Sequence, residues 1–213
     1  MAVAERRLRE KEARKQQILD AARELFFKKG FEQTTVEDIA EKTELSKGTL
    51  YLYFPSKEEI TISLMLEGSQ ILYQMLRASA SADAPPDELL RRLGKAYLRF
   101  YLEYTEYFRM LFLYYSSVNI HEKISADLCE RCEQQAKQSL MLVANVIQKG
   151  IDEHQFQPCN AWESAIMIWT CMNGMILLAE RGDDQLLQLN TSIEKLHELF
   201  LQTILTALRT GTR

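Results

Sequence analysis

Apolar residues recur at helical spacing from near the start of this chain to near its end. Ile18, Ala22, Leu25 and Phe26 stand at offsets 0, 4, 7 and 8, which puts them on one helix face. The pattern predicts a helix over 4–29 with Lys28 and Lys29 in its last turn, where cations suit the carbonyl end. Gly30 is the left-handed stop, and Phe31 is placed to fold back on that turn. A second, short helix opens at Thr34 and Thr35, buries Val36, Ile39 and Ala40, and ends at 42 or 43. Thr35 and Asp38 have capping-box spacing. Ser46 suits the N-cap of a third helix over 47–52, with Leu50 and Phe54 facing inward. Pro55 breaks the pattern. Ser56 and Glu59 then form a second capping box, which opens a long fourth helix reaching 79.

Beyond the Pro-rich break SADAPPDE, further helices are predicted over 87–104, 107–117 and 121–149, the last with Gly150 near its end. Residues 160–180 are apolar almost all round, with Trp162, Ile166, Ile168, Trp169, Met172, Ile176 and Leu177. Such a helix is expected to be buried on several sides, at the domain centre or a subunit interface. The last helix, over 192–209, carries Ile193, Leu196, Phe200, Ile204 and Ala207 at offsets 0, 3, 7, 11 and 14, with a second apolar edge at Leu199 and Leu205. No stretch reads convincingly as a strand.

Composition agrees. Only 8 Gly and 4 Pro punctuate 213 residues, and 46% hydrophobic content is enough to bury a core. The net charge of −4 argues weakly against nucleic acid, but its distribution reverses that. Residues 1–29 hold nine Lys/Arg against five Asp/Glu, a local +4. No secretory signal opens the chain and no apolar run reads as long enough to cross a bilayer, so a cytoplasmic protein without a membrane partner is expected. Cys129 and Cys132 form a lone CxxC, while Cys159 and Cys171 stand apart. Reduced, structural thiols are the plainer reading, beside a metal or redox role.

Three compact helices, the last two joined by a tight turn, have the form of a helix-turn-helix unit. A third helix of this kind must be short and must offer its first residues to base edges in the major groove. Gly48 removes bulk there. Lys47 and Thr49 beside it carry donors, and the hydroxyls of Tyr51 and Tyr53 can reach phosphates. Lys57 stands in the first turn of the following helix, near backbone N–H groups that attract phosphate.

The stretches ILDAARELFFKKGFEQTTVEDIA and LSKGTLYLYFPSKEE resemble the DNA-binding domain of the tetracycline-repressor (TetR) family of bacterial regulators, over about residues 17–60. The remainder is similar only in being all helical and of suitable length, with NGMILLAE close in flavour to the family's penultimate helix. The resemblance implies an all-α fold. In it, an N-terminal helix-turn-helix DNA-binding domain, residues 1–57, is linked by a long helix to a C-terminal ligand-binding and dimerisation bundle, residues 58–213. It implies a homodimer on a palindromic double-stranded DNA operator, most often a repressor released when a small molecule enters the C-terminal bundle. Carried over by position, Thr35, Tyr51, Tyr53 and Lys57 would contact phosphates. Ser46, Lys47, Gly48 and Thr49 would approach the bases or their flanking phosphates. No catalytic residue, metal or cofactor is implied. One departure is Glu44, where many members have glycine: a side chain at positive φ is strained by about 1 kcal/mol.

The segment AYLRFYLEYTEYFRMLFLYY puts Tyr97, Tyr101, Tyr104 and Phe108 at offsets 0, 4, 7 and 11. With Phe112, Trp169 and Met172 these are the candidate lining of a pocket for an apolar or aromatic effector, or simply aromatic core. Arg99 and Arg109 could pair with an anionic group of a ligand or form surface ion pairs. Trp162, Ile166, Ile176, Ile193, Leu196, Phe200 and Ile204 are the candidate dimer interface. Two other readings stay open: a helix-turn-helix regulator answering to a protein partner or to nothing, and, remotely, a helical-bundle enzyme. His121, His154 and His197 lack metal-ligand spacing for the latter.

Overall fold

Gly30 ends the first helix at φ 84°, its N–H donating to the Phe26 carbonyl at 2.9 Å. The Phe31 ring then turns edge-on to Phe26, 5.5 Å between centroids. In the computed structural model, which describes residues 2–81, 83–114, 124–180 and 191–209, this corner separates α1 (Ala2–Lys29) from α2 (Val36–Lys42). Then come α3 (Lys47–Tyr51), α4 (Lys57–Ala80), α5 (Pro86–Glu103) and α6 (Thr105–Arg109), a π-helical turn Met110–Tyr114, α7 (Ala126–Asp152), α8 (Ala161–Glu180) and α9 (Ile193–Leu208). Among the described residues the only β pairing is an isolated bridge between Phe156 and Arg209, so the fold is all-α as expected.

Contacts divide the described chain into two units, residues up to 67 with 124–132, and residues 68–114 with 133–209. The sequence places a boundary at 57/58, whereas contacts divide the chain inside α4. In the first unit α1 packs on α2 and α2 on α3. Ile18, Ala22 and Phe26 of α1, Val36, Ile39 and Ala40 of α2, and Leu50 and Phe54 at α3 are all buried. Buried Thr34 donates its hydroxyl to the Gly30 carbonyl at 2.8 Å. Ser56 Oγ accepts the Glu59 N–H at 3.1 Å, opening α4.

In the second unit α9 packs on α5 and α8. Gly94 permits the close approach of α5: a Cβ there would lie 2.6 Å from Leu201 Cδ2. Beside it the His197 ring donates from Nε2 to the Gly94 carbonyl at 2.9 Å. Arg91 pairs with Glu198 at 2.8 Å and Arg209 with Asp87 at 2.6 Å, so charge pairs join the α9 region to α5 at two points.

Four expectations are corrected. The break expected between 104 and 107 is at Tyr104, at φ −126°, ψ 42°, but the helix predicted over 107–117 starts at Thr105 and is not continuous: after the five residues of α6 the backbone becomes π-helical at Met110. The helix predicted from 121 starts at Ala126 and continues to Asp152. Gly150 is near its end, as expected, and the Phe156 ring lies where a Cβ would be, 2.1 Å from Phe156 Cδ2. The turn that follows has His154, not a glycine, at φ 57°. Third, of the two places expected for α8, the domain centre does not hold, since one side of the helix stays open within the chain. It buries Ala165, Ile168, Met172, Asn173 and Ile176 but leaves Met167 51% and Leu178 57% exposed. Fourth, α8 is long and apolar enough to cross a membrane by length and composition, because Ser, Thr, Asn and Gly interrupt its apolar run without adding charge. His121 and the stretches SSVNIHEK and RGDDQ lie outside the described residues.

Candidate functional site

The turn between α2 and α3 is held by Leu45 N–H donating to the Ala40 carbonyl at 2.9 Å and Glu44 N–H to Glu41 at 3.1 Å. Glu44 takes φ 55°, the left-handed conformation that the sequence flagged. Ser46 caps α3: its Oγ accepts the Thr49 N–H at 3.1 Å and lies 2.8 Å from the Thr49 hydroxyl. Leu50, fully buried, and Phe54 anchor the inner side. The outer side therefore presents Ser46, Lys47, Gly48, Tyr51 and Leu52 to solvent, with Thr49 and Tyr53 half-buried. Leu52, at 81% exposure, is an apolar residue the sequence analysis did not single out.

Two of the site's lysines have partners that no helical periodicity reveals. Lys47 forms an ion pair with Glu37 of α2 and lies 5.9 Å from the centroid of the Tyr51 ring. The Glu37 carboxylate raises the Lys47 ammonium above its usual range, and the ammonium lowers Glu37. Lys57 Nζ donates to the Phe31 carbonyl at 2.6 Å and sits 3.9 Å over the Phe31 ring. Partial burial lowers its pKa. Thr35 is exposed but closes its capping box: its Oγ1 accepts the Asp38 N–H at 3.1 Å and its own N–H donates to Asp38 Oδ2 at 2.7 Å. Lys29, 2.7 Å from Asp38, and Thr35 hold that carboxyl well below the usual range.

In the second unit the predicted aromatic residues gather, with Phe108 fully buried among them. Its ring centroid lies 6.4 Å from Tyr97, 5.1 Å from Tyr101 and 4.6 Å from Phe112, which is 6.1 Å from Trp169. Tyr97 donates to Asn173 Oδ1 at 2.5 Å, and burial pushes its phenol up. Tyr101 donates to Glu180 at 2.7 Å and is pushed up to about 12 by burial and that carboxylate. Burial opposes ionisation of Glu180, yet Arg109, at 2.6 Å, and Tyr101 hold it below the ordinary range. Arg109 is thus committed to Glu180 and Glu106, and Arg99 to Glu103 at 2.7 Å. Met172 is buried, while Tyr104 stacks on Phe100 and stays partly exposed. A groove of about 380 Å³ lies elsewhere in this unit, lined by Tyr73 of α4 and by Gln134, Lys137, Gln138, Met141, Leu142 and Asn145 of α7. None of the predicted pocket residues lines it.

Of the residues predicted for a dimer interface, Ile176 is buried within the chain. Trp162, Ile193, Leu196, Phe200 and Ile204 are half-buried and Ile166 is 36% exposed. The buried side of α9 is instead His197, Leu201, Leu205 and Leu208, one step round the helix, and Leu199 is 60% exposed.

An exposed, glycine-bearing third helix on a short capped turn, followed by a separate helical bundle, defines a helix-turn-helix transcriptional regulator. The family models agree: bacterial regulatory proteins of the tetR family match residues 18–64, and the tetracyclin repressor-like C-terminal domain matches residues 90–204. The chain belongs to the TetR family. It is 30% identical to the uncharacterized HTH-type transcriptional regulator YfiR of Bacillus subtilis, over 92% of this chain and 94% of that one. Its fold is similar to that of the TetR-family regulator PfmR from Thermus thermophilus, with TM-score 0.68 and 23% identity over 91% of this chain and 99% of that one. It is also similar in fold to FadR from Bacillus subtilis, solved in complex with stearoyl-CoA, with TM-score 0.67 and 18% identity over 91% and 99%.

Proposed function

We propose that this chain is a repressor that holds a palindromic operator as a homodimer and leaves it when a small molecule binds the second unit. Gly48 carries the DNA-reading part. Glycine costs about 1 kcal/mol inside a helix, and nothing among the described residues requires it at this position. A Cβ there would meet only Ser46 Oγ, at 3.9 Å, and the backbone is outside the left-handed region. The gap serves something outside the chain. A bare patch flanked by Ser46, Lys47 and Thr49 lets the backbone approach base edges. Thr35, Tyr51, Tyr53 and Lys57 border it as phosphate contacts, and the basic front of α1 adds field. The exposed apolar faces of α8 and α9 supply a self-complementary surface for a second copy. The effector has an apolar or aromatic body, a reading supported by the ring cluster around Phe108 and by the acyl-CoA complex of the FadR relative.

The test is titration of the full chain with DNA from its own promoter region and with random duplex, at several salt concentrations. Binding should favour the promoter and weaken as salt rises, because phosphate contacts release counterions. Equal affinity for both duplexes would reject the reading. Candidate effectors, long-chain acyl thioesters and polycyclic aromatics, should raise the unfolding temperature and dissociate the complex. A second reading, a regulator that senses no small molecule, is favoured by one observation. Among the predicted pocket side chains, Tyr97, Tyr101 and Phe112 pack on the fully buried Phe108. On that reading no candidate shifts the unfolding temperature.

A further inference from the structure

Glu37 stands in the first turn of α2, and the helix-turn-helix corner brings it against Lys47 at the start of α3. Both side chains stay open to solvent, at 61% and 49% exposure. An ion pair so exposed adds little to stability, so holding the fold together does not account for it. Its position is nevertheless defined: Leu50 and Phe54 fix α3 from inside, and the Tyr51 ring flanks the ammonium. The corner therefore presents donors and acceptors in contact, contributed by two helices, beside the bare patch at Gly48.

That arrangement has a counterpart in the major groove. Guanine offers two acceptors there, N7 and O6, and the cytosine paired with it offers the N4 amino donor alongside. An ammonium has three donors and a carboxylate two acceptor oxygens, so each group can keep its partner and still meet a base. The geometry points to Glu37 as a base-reading residue that acts with Lys47 on one G·C pair in each operator half-site, Lys47 donating to guanine and Glu37 accepting from cytosine. The inference rests on the DNA-binding reading above. On an A·T pair the thymine brings O4, an acceptor, and a methyl group to the place of the cytosine amino group. The carboxylate then faces an acceptor and is repelled. Against phosphate it is repelled everywhere, so Glu37 lowers affinity for all DNA while raising discrimination at one pair.

The experiment is selection of binding sites by the full chain from a pool of randomised double-stranded DNA. Titrations follow on the selected duplex, its single-pair replacements and random duplex. The unaltered chain should enrich half-sites with one fixed G·C pair, whose replacement by A·T weakens binding about tenfold. Glu37→Gln, whose amide offers both an acceptor and a donor, should weaken the preference for G·C over A·T at that pair alone and bind random duplex more tightly. Glu37→Ala, which has no acceptor and no amide, should show the same relaxation and separates loss of the carboxylate from any new adenine preference of the amide. Discrimination at that pair unchanged in both variants overturns the inference and leaves the DNA-binding reading standing. So does a uniform gain in affinity on every duplex, which would make Glu37 an electrostatic brake only. Enrichment of no sequence by the unaltered chain defeats the DNA-binding reading and the inference together.

Discussion

At Glu44 the backbone takes φ 55°, where a Cβ crowds the following carbonyl. Glu44→Gly should relieve this and raise stability by up to about 1 kcal/mol, less what glycine adds to the entropy of the unfolded chain; a denaturant midpoint reads it. His197 gives a pH dependence. Burial lowers its pKa from 6.5, with the Gly94 carbonyl and Glu198 pulling upward and Lys95 pulling down. The unfolded chain therefore takes up the proton first, so stability is complete above the ordinary value and lost as pH falls through it. The unfolding temperature should drop between about pH 7.5 and 5.5, and His197→Gln should flatten that drop. Lys57→Ala has two expected effects, weaker binding to all DNA and a lower unfolding temperature from loss of the Phe31 contacts. An unchanged unfolding temperature would show those contacts to be idle. Residue-level features set by neighbours in sequence were legible: the stop at Gly30, the cap at Thr35 and the departure at Glu44. The partners of Lys47 and Lys57 were not, because they lie ten and 26 residues away across turns.

Helices were legible wherever an apolar stripe kept its period, as in α1, α2 and α3. They were misread where something outside the stripe decided. Gly150 lies near the end of α7, as expected, but nothing in the stripe shows that Phe156 folds back over it or that α7 continues to Asp152. Gly150→Ala gains helix propensity of up to about 1 kcal/mol and drives a Cβ into a buried ring, which costs about 1–3 kcal/mol. A net loss in unfolding midpoint is expected. The break near Tyr104 was legible, but the π-helical turn that follows α6 was not; the apolar stripe does not encode the extra residue per turn. For α8 and α9, composition showed apolar helices without saying which side the chain itself covers. Leu199→Glu alters an exposed position of α9 and should leave the unfolding temperature of the single chain nearly unchanged. If α9 joins two copies, light scattering should show the mass halved. An unaltered dimer would place the contact elsewhere.

For the molecule as a whole, charge asymmetry and helical period pointed to an N-terminal helix-turn-helix and a larger C-terminal bundle, and family membership agrees. The DNA-binding segment was readable because its caps, stop and inner apolar positions all act within a few residues. The effector region was far less so. The predicted aromatic residues come together around Phe108, while the described groove lies by Tyr73 and Lys137, residues with no shared pattern. By itself the sequence determined the all-α class, the short capped third helix and its inward Leu50 and Phe54, since hydrogen bonding and periodicity along one chain fix these. Only the tertiary structure decided that Glu37 meets Lys47, that Phe108 packs against rings from α5 and from the π-helical turn, and that α8 and α9 keep apolar faces uncovered. Those outcomes depend on which surfaces meet once the chain has turned, and a one-dimensional pattern carries the tendency to bury a side chain without naming its partner.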